Sequence, residues 1–377
     1  MRLTKKIAIV HEWFTAIGGS EKVVEQLLQV FPDADLFGLI DFLPALDRGL
    51  LDSRPVRTSF LQRAPFINAN NYRSYLALMP LAIEQLDLSA YDLIISSCHA
   101  VSKGVITGPD QLHISYIHTP MRYAWDMQSA YLESGAMLGI KGLVARLLLH
   151  YIRIWDVGAA NRPDVLIANS SFIARRIRKV YRRASTVIHP GVDTEYFTPQ
   201  GPREDFYFTA SRFVPYKRLD LIIDSFRGLP DKRLVIIGDG PELDRYQGRL
   251  PANISCLGTQ PASVLRDHLR RCRAFIFAAR EDFGILPVEA QASGAPVIAF
   301  GQGGVVDTVR GQGSSNQTGF FFQAQTVAAL SQAILDFDNQ VIHAEDCRTQ
   351  AEKFSSLRFR GEISKFVERA WADFQRV

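Results

Sequence analysis

A chain of 377 residues, 47% hydrophobic and 22% charged, holds enough apolar material for two or three folded domains at roughly 150 residues each. That composition excludes disorder as the main state, and 43 basic against 39 acidic side chains, a net of +4, is too even to point to nucleic acid. No uninterrupted apolar run reaches the roughly 18 residues that a membrane-crossing helix needs. The four cysteines, Cys98, Cys256, Cys272 and Cys347, are far apart and form no C-x-x-C pair, which argues against a zinc knot or a disulfide scaffold. The opening MRLTKKIAIV runs into a strand-like segment without a signal-peptide core, so a cytoplasmic protein with reduced thiols is expected.

Short Ile- and Val-rich runs alternate with helical patterns from end to end. Strands are predicted over 7–10, 93–96, 114–117, 165–168 and 186–189, then over 206–210, 233–237, 254–257, 274–278, 296–300 and 319–322. Continuously apolar strands separated by helices imply parallel sheets covered on both faces. Two such sets predict an α/β chain of two Rossmann-like, doubly wound domains. The polar stretch 193–205, broken by Pro199, Gly201 and Pro202, reads as the linker. The expected domains are 1–195 and 196–355, the first completed by a helix over 356–377 with Phe359, Ile363, Phe366, Val367 and Trp371 on one stripe.

Between Lys141 and Arg183 ten basic residues face only Asp156 and Asp164, a local net of +8. Arg146, His150 and Arg153 fall on one side of a helix that is otherwise Leu, Ile, Val and Trp. Two readings stay open: a core helix with a solvated edge, or a helix lying on an anionic membrane surface. Arg175, Arg176, Arg178, Lys179, Arg182 and Arg183 belong to the same footprint or form a plain solvated face.

Ligands of open parallel sheets bind beyond the carboxyl ends of the strands, so the loops there are the places to search. Gly18-Gly19-Ser20-Glu21 opens a helix, where free amides and the dipole favour an anion, although a plain turn uses the same glycines. Ser211–Arg218 follows the first strand of the second half. Arg212 offers a fork and Lys217 a point charge, and the two can converge on a diphosphate. After the strand over 274–278 comes Glu281-Asp282-Phe283-Gly284-Ile285-Leu286-Pro287-Val288-Glu289. The amides around Gly284, Ile285 and Leu286 form an anion hole at a helix start, with Phe283 in the same loop. Glu281 and Glu289 are placed to grip vicinal hydroxyls, one of a sugar and one of a ribose.

Gly238-Asp239-Gly240-Pro241 also ends a strand, but Leu243 stands where a dinucleotide fingerprint needs its third glycine. Gly301–Gly304 has the same placement, and Gly258 could line a base pocket. His118 ends the strand over 114–117 inside the polar and aromatic run His118–Asp126, facing the cleft between the domains. His11, His99 and His189 also end strands and read as structural. Asp33-Ala34-Asp35 and Asp336-Phe337-Asp338 both spell D-x-D, yet neither sits beside the other candidates, and both read as surface acids. With Arg212 and Lys217 supplying charge, no metal is required.

Together, Gly18–Glu21, His118-Thr119-Pro120, Ala168-Asn169-Ser170-Ser171, His189-Pro190-Gly191-Val192-Asp193, Arg212 with Lys217, Gly238–Pro241 and Glu281 with Glu289 resemble the family-4 retaining glycosyltransferases, over nearly the whole chain. The segments Ile9–Trp13, Phe31–Asp35, Leu81–Gln85, His118–Asp126 and Trp155-Asp156 are similar to the branch that builds bacterial surface polysaccharides from GDP-mannose. The resemblance implies the GT-B fold, two Rossmann-like domains facing across a cleft, and no metal or other cofactor. It implies that Arg212 and Lys217 stabilise the leaving diphosphate, that Gly19 and the amides at Gly284–Leu286 add neutral donors, and that Glu281 holds the sugar and Glu289 the ribose. His118 would contact the sugar near the reacting carbon. The motif at His189-Pro190-Gly191 varies within the branch.

The resulting expectation is a cytoplasmic hexosyltransferase, peripheral on the inner face of the membrane. It would move α-mannose from GDP-mannose to a glycan or lipid-linked glycan by front-face displacement. Trp13, Arg122, Tyr123 and Asn169 are the expected acceptor contacts. The competing readings are a transferase using another donor such as UDP-glucose, a nucleotide-dependent oxidoreductase, and a non-catalytic sugar-nucleotide binding protein.

Overall fold

The computed structural model describes residues 5–128, 139–246 and 248–376. The chain divides into two compact units, Met1–Pro190 with Phe359–Val377, and Gly191–Arg358. The strands of the first unit are β1 (Ile7–His11), β2 (Trp13–Phe14), β3 (Asp35–Gly38), β4 (Ile40–Asp41), β5 (Val56–Thr58), β6 (Leu93–Cys98), β7 (Leu112–Ile117), β8 (Val165–Ala168) and β9 (Thr186–Val187). Those of the second are β10 (Tyr207–Ala210), β11 (Leu234–Ile237), β12 (Ile254–Cys256), β13 (Ala274–Phe277), β14 (Val297–Phe300) and β15 (Gly319–Phe322).

Seven strands of the first unit form one sheet in the order β5-β3-β1-β6-β7-β8-β9, all parallel. The second sheet runs β12-β11-β10-β13-β14-β15, again all parallel. Each sheet therefore starts at its centre, winds out to one side, and returns to wind out to the other, which is the doubly wound order. The reversal falls between β1 and β6 in the first unit and between β10 and β13 in the second. At such points the loops leaving neighbouring strands run to opposite faces, which is where doubly wound sheets form a crevice.

The central strands are buried along their whole length: every residue of β1, β6, β7, β10, β13 and β14 is inaccessible. Helices on both faces supply the cover, which explains why these strands read as largely apolar runs without alternation. The helix Ser356–Phe374 buries Phe359, Ile363, Val367 and Trp371 in the same core as Ile9, Leu27, Leu93 and Ile114 of the first unit. The stretch 193–205 belongs to the second unit. Arg348 pins it by donating to the carbonyls of Thr194 and Phe197, and Arg270 by donating to that of Thr198.

Two expectations about charge need correction. Asp156 does not oppose the basic surface, because it is wholly buried and paired with the buried Lys103. Of the D-x-D acids, Asp33 and Asp336 are exposed as expected, whereas Asp35 and Asp338 are held in structural contacts. Asp35 opens β3 and accepts from the Tyr91 hydroxyl, and Asp338 ties together Tyr207, Lys232 and Arg273.

Candidate functional site

In the second unit the crevice is built by the loops after β10 and β13. These strands pair directly, Tyr207 with Ala274 and Phe208 with Phe275, so the loops that leave them are neighbours. Lys217 lies in the first loop and Glu281 in the second, and their side chains form an ion pair across 64 positions of sequence. Each is 18% exposed, so the pair is reachable from solvent yet largely shielded. Arg212, on the same loop as Lys217, is exposed. The turn closes at Arg218, whose backbone is left-handed at φ 57°. Non-glycine residues hold that conformation at a cost of about 1–3 kcal/mol, and such strain concentrates at functional loops.

Both loops rest on glycine. A Cβ at Gly238 would sit 1.8 Å from the Ser211 carbonyl oxygen, and one at Gly304 would sit 2.2 Å from that of Asp282. The glycines therefore let the neighbouring strand ends press against the Ser211 and Asp282 backbones. Gly304 also donates its amide to the Glu281 carbonyl at 2.8 Å. Gly238 and Gly304 thus seat the two loops. Gly258 accepts the Gly238 amide at 2.9 Å and is half-buried.

Gly284, left-handed at φ 90°, caps the helix Ile285–Ala292. The first-turn amides at Ile285 and Leu286 have no acceptor within the helix and point out of its start, where an anion is favoured. Phe283 is buried beneath the loop among Phe277, Val288 and Phe354. Glu289 lies in the middle of the same helix and is buried.

The first unit gathers a denser polar cluster at its own reversal point, at the ends of β1, β6 and β7. His11 directs Nδ1 to the Ser97 carbonyl at 3.1 Å and Nε2 to Glu21 at 3.2 Å. Glu12 accepts at one carboxylate oxygen from the amides of His99, Ala100 and Ser102 and from the Ser102 hydroxyl. Its other oxygen lies 3.0 Å from His99 Nδ1. Burial opposes ionisation of Glu12. The His99 charge and hydrogen bond, with His11 and the Ala100 amide, outweigh it and hold the carboxyl well below the ordinary range. Glu21 is likewise buried and held at about 2, chiefly by the His11 hydrogen bond and charge.

His118, half-buried, meets the Ser97 hydroxyl at 2.8 Å through Nε2. Burial, reinforced by His99 and His11, pushes its pKa down to about 3, so it is neutral at physiological pH. The Asn169 side chain donates to the His118 carbonyl at 3.0 Å. Trp13 packs its ring against His99 and Tyr72 at 4.8 and 5.0 Å. Tyr123 donates to the Met121 sulfur, and Arg122 beside it is half-buried. Gly18 and Gly19 lie exposed at the start of the helix Gly19–Val30, where Glu21 already accepts the Gly18 amide at 2.9 Å.

Ligand atoms of His11, Glu12 and His99 lie within 4.8 Å of one another, close enough to hold a cation. They are already engaged, however, with Ser97, Glu21 and the backbone amides named above. Glu12, Glu21 and Ser97 had no role assigned to them from the sequence alone. The signal that could have found Glu12 is its place directly after the first strand.

Residues 17–196 match the family Glycosyltransferase Family 4, and residues 192–354 match Glycosyl transferases group 1. The two matches together span residues 17–354. It is 26% identical over 222 residues to an uncharacterised glycosyltransferase of Methanocaldococcus jannaschii, covering 56% of this chain and 62% of that one. It is 30% identical over 204 residues to a GDP-mannose-dependent monoacylated alpha-(1-6)-phosphatidylinositol monomannoside mannosyltransferase of Corynebacterium glutamicum, covering 46% and 52%. The chain spans about half the length of the curated relatives it matches. Among solved structures, Anabaena HepE in complex with UDP-glucose superposes with a TM-score of 0.69 at 17% identity, covering 97% of this chain and all of that one. This likeness carries the fold, two parallel-sheet α/β domains of the GT-B class.

Proposed function

We propose that this chain is a retaining glycosyltransferase that moves a hexose, mannose from GDP-mannose, to a hydroxyl of a glycan or lipid-linked glycan acceptor. The Lys217–Glu281 pair at the reversal point of the second sheet carries the reading. It sets a cation for a departing diphosphate next to a carboxylate that can accept from sugar hydroxyls, beside the helix start at Gly284. The GDP-mannose-dependent relative supports the choice of donor.

As the anomeric C–O bond breaks, charge grows on the diphosphate oxygen. Lys217 and the amides at Ile285 and Leu286 are held in place before that charge develops, so they stabilise the transition state more than the ground state, and Arg212 on the Lys217 loop adds a second cation. The acceptor oxygen forms its bond to the anomeric carbon on the face the diphosphate leaves. Its proton passes to the leaving phosphate oxygen, so no protein base is needed. Glu281 orients the sugar and Glu289 the ribose. His118, held neutral, offers an uncharged hydrogen-bonding group to a sugar hydroxyl. Trp13, Arg122, Tyr123 and Asn169 contact the acceptor. The charge balance of the step requires no metal ion.

The test is a panel of GDP-, UDP- and ADP-sugars with nucleotide release and sugar transfer both measured. GDP-mannose should give the highest kcat/KM. Preference for UDP-glucose would replace the donor, and tight binding without release or transfer from any donor would make the chain a binding protein.

A further inference from the structure

The helix Gly139–Ala159 presents an apolar face to solvent. It buries Gly142, Leu149, Ile152, Asp156 and Ala159 on one side. At 100° per residue the opposite side carries Ile140, Leu143, Val144, Leu147, Tyr151 and Ile154, and all six are exposed. Ile140 is 83% exposed, Leu147 61% and Ile154 64%. The stripe runs about 21 Å at 1.5 Å per residue. The core-helix reading accounts for Leu148, Leu149, Ile152, Trp155 and Ala159; the larger apolar face has no protein over it among the described residues. A continuous exposed stripe of this kind marks an interaction surface.

The charges around the stripe identify its occupant. The helix contains one carboxylate, Asp156, which is buried against Lys103. The ionisable groups it exposes are Lys141, Arg146, His150 and Tyr151, with Arg153 half-buried. We propose that this helix lies in the interfacial plane of an anionic lipid bilayer. Its six apolar residues enter the acyl boundary, and Lys141 and Arg146 meet headgroup phosphates. A second copy is a poor fit. Two-fold pairing of this face would set the cations of one copy against a helix that exposes no carboxylate to receive them.

The helix is also tied to the run His118–Asp126. Arg153 donates to the Ala124 carbonyl at 2.9 Å, and Asp156 accepts from Trp125 Nε1 at 2.8 Å. Met121 and Ala124 share a core with Leu149 and Ile152. Docking would therefore hold Arg122 and Tyr123 at a fixed depth relative to the bilayer. That consequence rests on the acceptor role given to them above, and the docking itself does not.

Flotation of the full chain with vesicles tests this. Vesicles of phosphatidylcholine with phosphatidylglycerol should carry the protein at low salt, and high salt should release much of it. Leu147→Asp with Ile154→Asp should abolish flotation. Lys141→Gln with Arg146→Gln should weaken binding about fivefold for each cation removed and leave only the weaker, salt-insensitive attachment. Absence of flotation at low salt overturns the proposal, as does wild-type flotation of the Asp variant. A dimer in light scattering that the Asp variant dissociates would show a second copy on the stripe, and overturns it too. Flotation is read without turnover, so its failure is separate from failure of the transferase reading.

Discussion

Lys217 and Glu281 neutralise one another across two loops that leave adjacent parallel strands. Their partial exposure means the pair itself contributes little to stability, about 1 kcal/mol or less. Its value is positional, since each partner holds the other at the crevice. Lys217→Ala should therefore lower kcat/KM for donor about 10²–10³-fold, the range for loss of one preorganised charge-stabilising group. Circular dichroism and urea unfolding should stay near wild type. Glu281→Ala should abolish transfer with equally small structural cost. Near wild-type turnover in either variant would remove these residues from the reaction.

The glycine beneath the Glu281 loop gives a sharper structural test. A Cβ at Gly304 would lie 2.2 Å from the Asp282 oxygen and 2.4 Å from the Phe283 Cα, both backbone atoms that cannot rotate away. Gly304→Ala should destabilise by about 1–3 kcal/mol. It should also lower kcat about 10²-fold, because an ångström of displacement at a positioned group has that effect. Gly361 is the control. It sits exposed inside the helix Ser356–Phe374 with nothing within 4 Å of its Cβ position. Gly361→Ala should stabilise by about 0.5–1 kcal/mol, measured by urea unfolding.

The central strands were legible because burial on both faces leaves a short apolar run, as in Ala274–Phe277 and Val297–Phe300. Asp35–Gly38 escaped because it opens on an acid. Val56–Thr58 escaped because an edge strand of three residues carries Arg57 between its half-buried neighbours. The rule that ligands gather beyond strand ends located the Arg212–Lys217 and Glu281 loops. It could have reached Glu12, which follows β1 directly, but not Ser97, whose role arises only when β1 lies beside β6, 86 positions from His11. Periodicity could not say which side of Gly139–Ala159 is buried, because both sides are apolar.

Acid should act on this protein through two histidines, one buried and one half-buried. His113 bonds the Ser96 hydroxyl at 2.8 Å inside β7. Burial, with the charges of Arg183 and Arg162, pushes its pKa to about 3. Burial also pushes His118 to about 3, with help from His99 and His11. Unfolded, each takes a proton near pH 6.5. Between those values the unfolded chain holds more protons, so lowering the pH favours unfolding. Their contribution is complete above about pH 6.5 and is lost as pH falls toward 3, at up to about 1.4 kcal/mol per unit for each. His99 works in the opposite sense. Burial lowers its pKa, but the Glu12 charge and hydrogen bond raise it further, so its contribution is present below 6.5 and fades above. Urea unfolding of wild type and His113→Gln at stepped pH should show wild type losing ground to the variant as pH falls from 6.5. A gap that stays constant would contradict the assignment.

The buried charge beneath the His118–Asp126 run provides the last test. Asp156 is wholly buried and accepts from Lys103, from Trp125 Nε1 at 2.8 Å, and from the Tyr181 hydroxyl at 3.1 and 3.2 Å. Lys103 is 1% exposed, and beyond Asp156 its ammonium donates to the Ala100 carbonyl. Asp156→Ala leaves that ammonium without its counter-charge and should cost about 3–5 kcal/mol. Removing both charges, as Lys103→Met with Asp156→Leu, should recover part of this loss. Recovery should stay incomplete, because the Trp125 and Tyr181 donors then lack an acceptor, at about 1–3 kcal/mol each. The double variant should therefore unfold at a urea concentration between those of Asp156→Ala and wild type. Trp125 fluorescence should report a loosened loop in both. If the double variant were no more stable than Asp156→Ala, the stranded ammonium would not be the cause, and the pair would serve only to seat Trp125.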